Sequence, residues 1–105
     1  MGPSLDDLLA RLEAATGRDR QLDAALALAF AGGEPAPDYT SSVDRCLDLL
    51  HAVLPGWAWH VGWNATGVLP YATLHGPDGL TAASAGTVPL ALLKALVKGK
   101  ASQGG

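Results

Sequence analysis

Cysteine is almost missing from this sequence. Cys46 stands alone, and one thiol cannot close an intrachain disulfide, so a secreted disulfide scaffold is excluded and a reducing cytoplasm is the simpler setting. A basic face is missing as well. The chain carries 7 Lys+Arg against 10 Asp+Glu, for a net charge of -3 and a pI near 5.4, whereas a nucleic-acid binder normally concentrates positive charge on one side. Charge of either sign is scarce in the second half: between His51 and Leu93 the single formal charge is Asp78, as expected of a sheet largely covered by helices. No long apolar run exists. The stretch 24–31 is far shorter than the roughly 20 residues that span a bilayer, and the first four residues give no basic start to a signal peptide.

What is present fits one small domain. At 105 residues a chain can bury about two-thirds of its unfolded surface in a single core. No internal repeat is evident. Charge is distributed unevenly: residues 1–50 hold nine acids and four bases, residues 51–105 one acid and three lysines. The most distinctive stretch is 57–63, Trp-Ala-Trp-His-Val-Gly-Trp, which contains all three tryptophans. Side chains alternate faces along a strand, so Trp57, Trp59, Val61 and Trp63 share one side and Ala58, His60 and Gly62 the other. The expectation is a central strand with a buried tryptophan face and Trp59 as its most deeply placed ring.

Periodicity places the remaining elements. Ser4 caps a first helix with Leu5, Leu8, Leu9 and Leu12 on one face and Gly17 as its stop; Asp19 caps a second over 20–31, ended by Gly32-Gly33. The second half of that helix, 24–31, has no polar side chain and is read as close packing of alanines, with an oligomer surface as the alternative. Glu34-Pro35-Ala36-Pro37-Asp38 forms a loop. Ser41 then caps a third helix over 42–54, with Cys46 on its apolar face as a small buried hydrophobe and Asp44, Arg45, Asp48 and His51 on the other face. After the tryptophan strand come a hairpin loop at 64–67, a return strand over 68–75 and a third strand over 80–85. Pro70, lacking a ladder donor, puts the return strand at an edge or at a bulge. Thr87 caps a last helix over 88–98, and 99–105 is expected to be a frayed tail after a single domain over 1–98. The fold class is α+β: three N-terminal helices, a three-stranded antiparallel meander and a C-terminal helix.

Several stretches are similar to a known family. Tyr39-Thr40-Ser41-Ser42 opens a helix, Leu54-Pro55-Gly56-Trp57-Ala58-Trp59 leads into the first strand, and Ala85-Gly86-Thr87-Val88-Pro89-Leu90 opens the last helix. With Leu5-Asp6-Asp7-Leu8-Leu9-Ala10-Arg11-Leu12 and Arg20-Gln21-Leu22-Asp23-Ala24-Ala25, the chain resembles the small bacteriophage proteins of the phage ABA sandwich domain. The similarity covers nearly the whole chain. One departure is Pro89, which follows a valine where the pattern more often runs Thr-Pro. The resemblance implies an α-β-α sandwich, a phage origin and no catalytic motif. By analogy with small non-catalytic phage proteins it also implies an anti-CRISPR-like inhibitor acting in the host cytoplasm on a protein or ribonucleoprotein defence complex. No cofactor, direct nucleic-acid contact or membrane contact is implied, and the chain is expected to be a monomer or homodimer.

The residues expected to meet such a partner are Glu34, Asp38, Asp44 and Asp48, an acidic set that would complement a basic surface and raise the association rate. The plainer reading of Asp44 and Asp48 is a solvated helix face, with Asp44 favoured by the helix dipole and Asp48 by Arg45. A metal site on Cys46, His51, His60 and His75 is poorly supported, because Cys46 and His51 diverge on their helix and no pair has zinc-ligand spacing. His60 lacks the nucleophile and orienting group that acid/base catalysis needs. Two rival functions stay open: a nucleotide-sequestering module that stacks its ligand on the tryptophans with Lys94 and Lys98 near the phosphates, and a virion assembly accessory.

Overall fold

In the computed structural model, which describes residues 4–33, 35–63, 67, 69–77 and 79–104, helix α1 spans Leu5–Ala14 and α2 spans Arg20–Phe30. A 3-10 turn at Tyr39–Ser41 leads to α3 (Val43–Val53). Strands β1 (Ala58–Trp63), β2 (Pro70–Gly76) and β3 (Gly79–Ser84) then precede α4 (Val88–Gly104). Each helix starts where a short polar side chain can satisfy a free backbone N–H. Ser4 Oγ accepts from Asp7 N at 3.0 Å, Asp19 Oδ1 from Leu22 N at 3.0 Å, and Thr87 Oγ1 from Leu90 N at 3.3 Å. The third cap is Ser42, which accepts from Arg45 N at 3.2 Å, rather than Ser41. Residues 39–41 are occupied by the 3-10 turn, whose Ser41 N–H returns to Asp38 O.

The strands form one antiparallel sheet in the order β1-β2-β3, with Val61 paired to Ala72 and Ala72 to Ala83. The α+β content and element order are those the sequence predicts. Pro70 sits in the central strand, not an edge strand. It is tolerated because it is the first residue of β2, where one missing donor costs a single terminal bond. The expected loop at 64–67 lies largely outside the described residues, as does Asp78 of the turn between β2 and β3.

The core is organised around α4. Leu90, Ala91, Leu92, Leu93, Ala95, Leu96 and Val97 are all buried, and a helix apolar on every side must be covered on every side. It lies across β2 and β3 on one flank and against α1, α3 and the 3-10 turn on the others. The layers therefore run sheet, α4, then α1 with α3. The resemblance implies the sheet as the middle layer, whereas here α4 takes the middle and the sheet lies outside. The outward sheet face, with His60, His75, Leu80, Ala82 and Ser84, is exposed even though it carries no formal charge. Scarcity of charge there does not mean cover by helices.

The tryptophans divide. Trp59 and Trp63 project to the same side as Leu74, Ala72 and Pro70, yet they remain 41% and 60% exposed. The reason is position: α4 packs over β2 and β3, and β1 extends beyond it. Trp57 is the structural ring. A Cβ on Gly76 would overlap its six-membered ring, and one on Gly99 would lie 3.3 Å from Trp57 Cζ3 and 3.1 Å from Leu54 Cδ1. Two glycines thus make room for one indole between β2 and α4. Gly99 is a packing residue inside α4, and the helix continues past it to Gly104 where the sequence predicted a stop.

Candidate protein-binding surface

The loop between α2 and α3 is held by a buried carboxylate. Asp23 is fully buried and lies on α2 among Leu22, Leu26 and Ala27, all with no exposed surface. Its Oδ1 accepts from Thr40 N at 2.7 Å and its Oδ2 from Arg20 Nη1 at 2.9 Å. Arg20 also donates to Ala36 O at 3.0 Å. Thr40 Oγ1 accepts from Asp19 N at 2.8 Å. A buried charge is tolerated only when paired and hydrogen-bonded, and these contacts supply both while pinning 36–40 to the start of α2. No buried side-chain polar atom among the described residues lacks a partner.

That clip presents the acidic residues. Asp38, Asp44 and Asp48 are all exposed, while Glu34 lies outside the described residues. Asp44 and Asp48 stand one turn apart on the solvent face of α3, as their spacing predicts. Arg45 pairs with Asp48 at 2.9 Å, with both side chains more than half exposed, so the pair contributes about 0–1 kcal/mol. Among the described residues Asp38 and Asp44 make no ion pair. Beneath this surface Asp38 acts on Cys46 and Asp48 on Tyr39. Burial pushes the Cys46 thiol from its ordinary 9.0 up to about 12, with Asp23 and Asp38 adding to the effect. Burial likewise raises the Tyr39 hydroxyl, helped by Asp48 and Asp23. The Cys46 thiol donates to Tyr39 O at 3.0 Å, so it is a protonated packing group with no nucleophilic character.

The tryptophan edge is a second exposed feature. Lys94 and Lys98, the cations that a stacked nucleotide would need, stand at the opposite side of the sheet. Their ammonium groups donate to Ser84 O at 2.8 Å and Ala82 O at 2.9 Å on β3. Two strand spacings, roughly 10 Å, separate β3 from β1. Among the described residues no three His, Cys, Asp or Glu side chains gather as metal ligands, and no helix is long and apolar enough to cross a membrane.

The sequence reading overlooked Asp23, although a signal existed: an acid three residues after Arg20, flanked by Leu22 and Leu26 on the inner face, is either unpaired and costly or a tertiary anchor. Set against family models, characterised proteins and solved structures, the chain gives no match.

Proposed function

We propose that this chain is a non-enzymatic binding protein that occupies a basic protein surface through the acidic stretch at the start of α3, in the manner of a phage-encoded inhibitor of a host defence complex. The observation that carries the reading is the exposed trio Asp38, Asp44 and Asp48, of which only Asp48 has a cationic partner among the described residues. The loop bearing Asp38 is fixed from within by Asp23 and Arg20, so little ordering entropy opposes binding. The phage setting and the defence target rest on the sequence resemblance; the surface and its sign rest on these residues.

The test is capture of host complexes on the immobilised chain, followed by association kinetics of the captured complex over a salt series. Rim charges act mainly on association rate and its salt dependence. Asp44→Lys with Asp48→Lys should therefore slow association most at low salt while the fold persists. Unchanged rates at every salt concentration, with a cooperative melt retained, would remove this face from the mechanism.

A further inference from the structure

The two edges of the sheet are built differently. On β3 the outward carbonyls of Ala82 and Ser84 are taken by Lys98 and Lys94, a device that blocks strand addition. On β1 no such block exists among the described residues, and the strand contains no charge and no proline.

The direction of each backbone group on β1 follows from the ladder. Ala85 N donates to Pro70 O across the β2–β3 pair, so residues 70, 72, 74 and 76 point their backbone groups toward β3 and residues 71, 73 and 75 toward β1. The lysine contacts on Ala82 and Ser84 obey the same alternation. With Tyr71 opposite Gly62 and Thr73 opposite His60, the groups of Ala58, His60 and Gly62 are used within the sheet. Those of Trp59, Val61 and Trp63 face outward.

We propose that β1 is a self-association edge, and that a second copy of this chain adds to it antiparallel about a two-fold axis at Val61. A two-fold axis normal to the sheet keeps the same face up in both copies, so only residues of like parity can oppose each other. Centring on Val61 is the one register that uses all three outward residues. Val61 meets its own symmetry mate, and Trp59 meets Trp63 of the partner subunit on both sides of the axis, giving six backbone hydrogen bonds. Both rings are exposed on the same face, where such pairs stack favourably. On the other face His60 opposes Gly62 of the partner subunit, a position over which Tyr71 of the same strand pair already leans, its hydroxyl 3.0 Å from where a Cβ would stand. The exposed fractions, 41% and 60% of a side chain of up to about 250 Å², amount to about 500 Å² over four rings. That is a quarter or more of a standard stable interface, before the strand backbones are counted. No formal charge on β1 is buried in the process.

The test is sedimentation equilibrium of the full chain from micromolar to near-millimolar concentration, with far-UV circular dichroism to confirm folding. The wild type should show a monomer–dimer equilibrium. Trp59→Lys/Trp63→Lys places like charges opposite each other twice and should raise the dissociation constant at least about tenfold. Trp59→Lys/Trp63→Glu places opposite charges in both pairs and should recover much of that loss. A measurement without mutation accompanies it: the amides of Trp59, Val61 and Trp63 should gain exchange protection with concentration, while those of Ala58, His60 and Gly62 do not change. A wild type that stays monomeric, a folded charge-swapped variant that dimerises no better than the all-lysine one, or exchange independent of concentration overturns the proposal. None of these readouts depends on the acidic face of α3.

Discussion

Removing the Asp23 carboxylate should cost this protein more than any other single polar change. Asp23→Ala deletes the acceptor for the buried Thr40 N–H at 2.7 Å. A hydrogen bond to a charged group contributes about 1.5–3 kcal/mol, and the stranded donor keeps its desolvation penalty. The Arg20 guanidinium, 49% exposed, can return to water, so the lost ion pair adds no more than about 1 kcal/mol. The sum is about 3 kcal/mol. For a domain near this size each kcal/mol moves the melting temperature by about 4–8 °C, which predicts a drop of about 12–24 °C. Asp23→Asn keeps an oxygen for Thr40 and loses only charge, so it should cost about 1 kcal/mol. Thermal denaturation of both variants, with amide exchange at Thr40, checks the reasoning. A fall of less than about 4 °C for Asp23→Ala, or equal falls for the two variants, would show that this carboxylate does not anchor the loop.

Trp57→Ala should destabilise by about 3 kcal/mol, the low end for a large aromatic ring, and Trp63→Ala by no more than about 0.5 kcal/mol; the order of melting temperatures at dilute concentration tests it, and the reverse order would return the exposed ring to the core. Gly76→Ala should cost about 1–3 kcal/mol because its methyl overlaps the Trp57 ring. The same change in a Trp57→Leu background should cost measurably less, and additive effects in a double-mutant cycle would remove the contact. Cys46 should resist Ellman's reagent in the native state at pH 8 and react once unfolded. Its raised folded pKa adds stability in full below the ordinary 9.0, and this is lost as pH rises toward about 12; chemical denaturation of the wild type against Cys46→Ala from pH 8 to the alkaline limit reads that difference, and parallel curves would contradict it.

Local chemistry made much of the fold legible. Ser4, Asp19 and Thr87 cap helices where their spacing to the first apolar residue says they should, because a cap is decided within four residues. The period-two pattern at 57–63 correctly places a strand, Ala58–Trp63, with Trp59, Val61 and Trp63 on one face, although that strand is an edge of the sheet and not its centre. The solvent face of α3, carrying Asp44 and Asp48, was equally readable, since helical spacing alone puts acids opposite Cys46 and Leu50.

Cover is a different matter, since it depends on which elements meet. The alternation of tryptophans establishes that Trp57, Trp59 and Trp63 share a side, but burial of that side depends on where α4 lies, and α4 stops at β2. Likewise the sequence marks Gly99 as a helix stop, while close packing against Leu54 and Trp57 makes it a helix interior. Asp23 reads as one more acid until Thr40, seventeen residues on, folds back to it. Interactions among near neighbours set the four helices, the three strands, their order, three of the four helix caps and the acidic sign of the first half. The tertiary structure decided which faces are dry, which sheet edge is blocked and which loop is pinned, because each depends on contacts between residues distant along the chain.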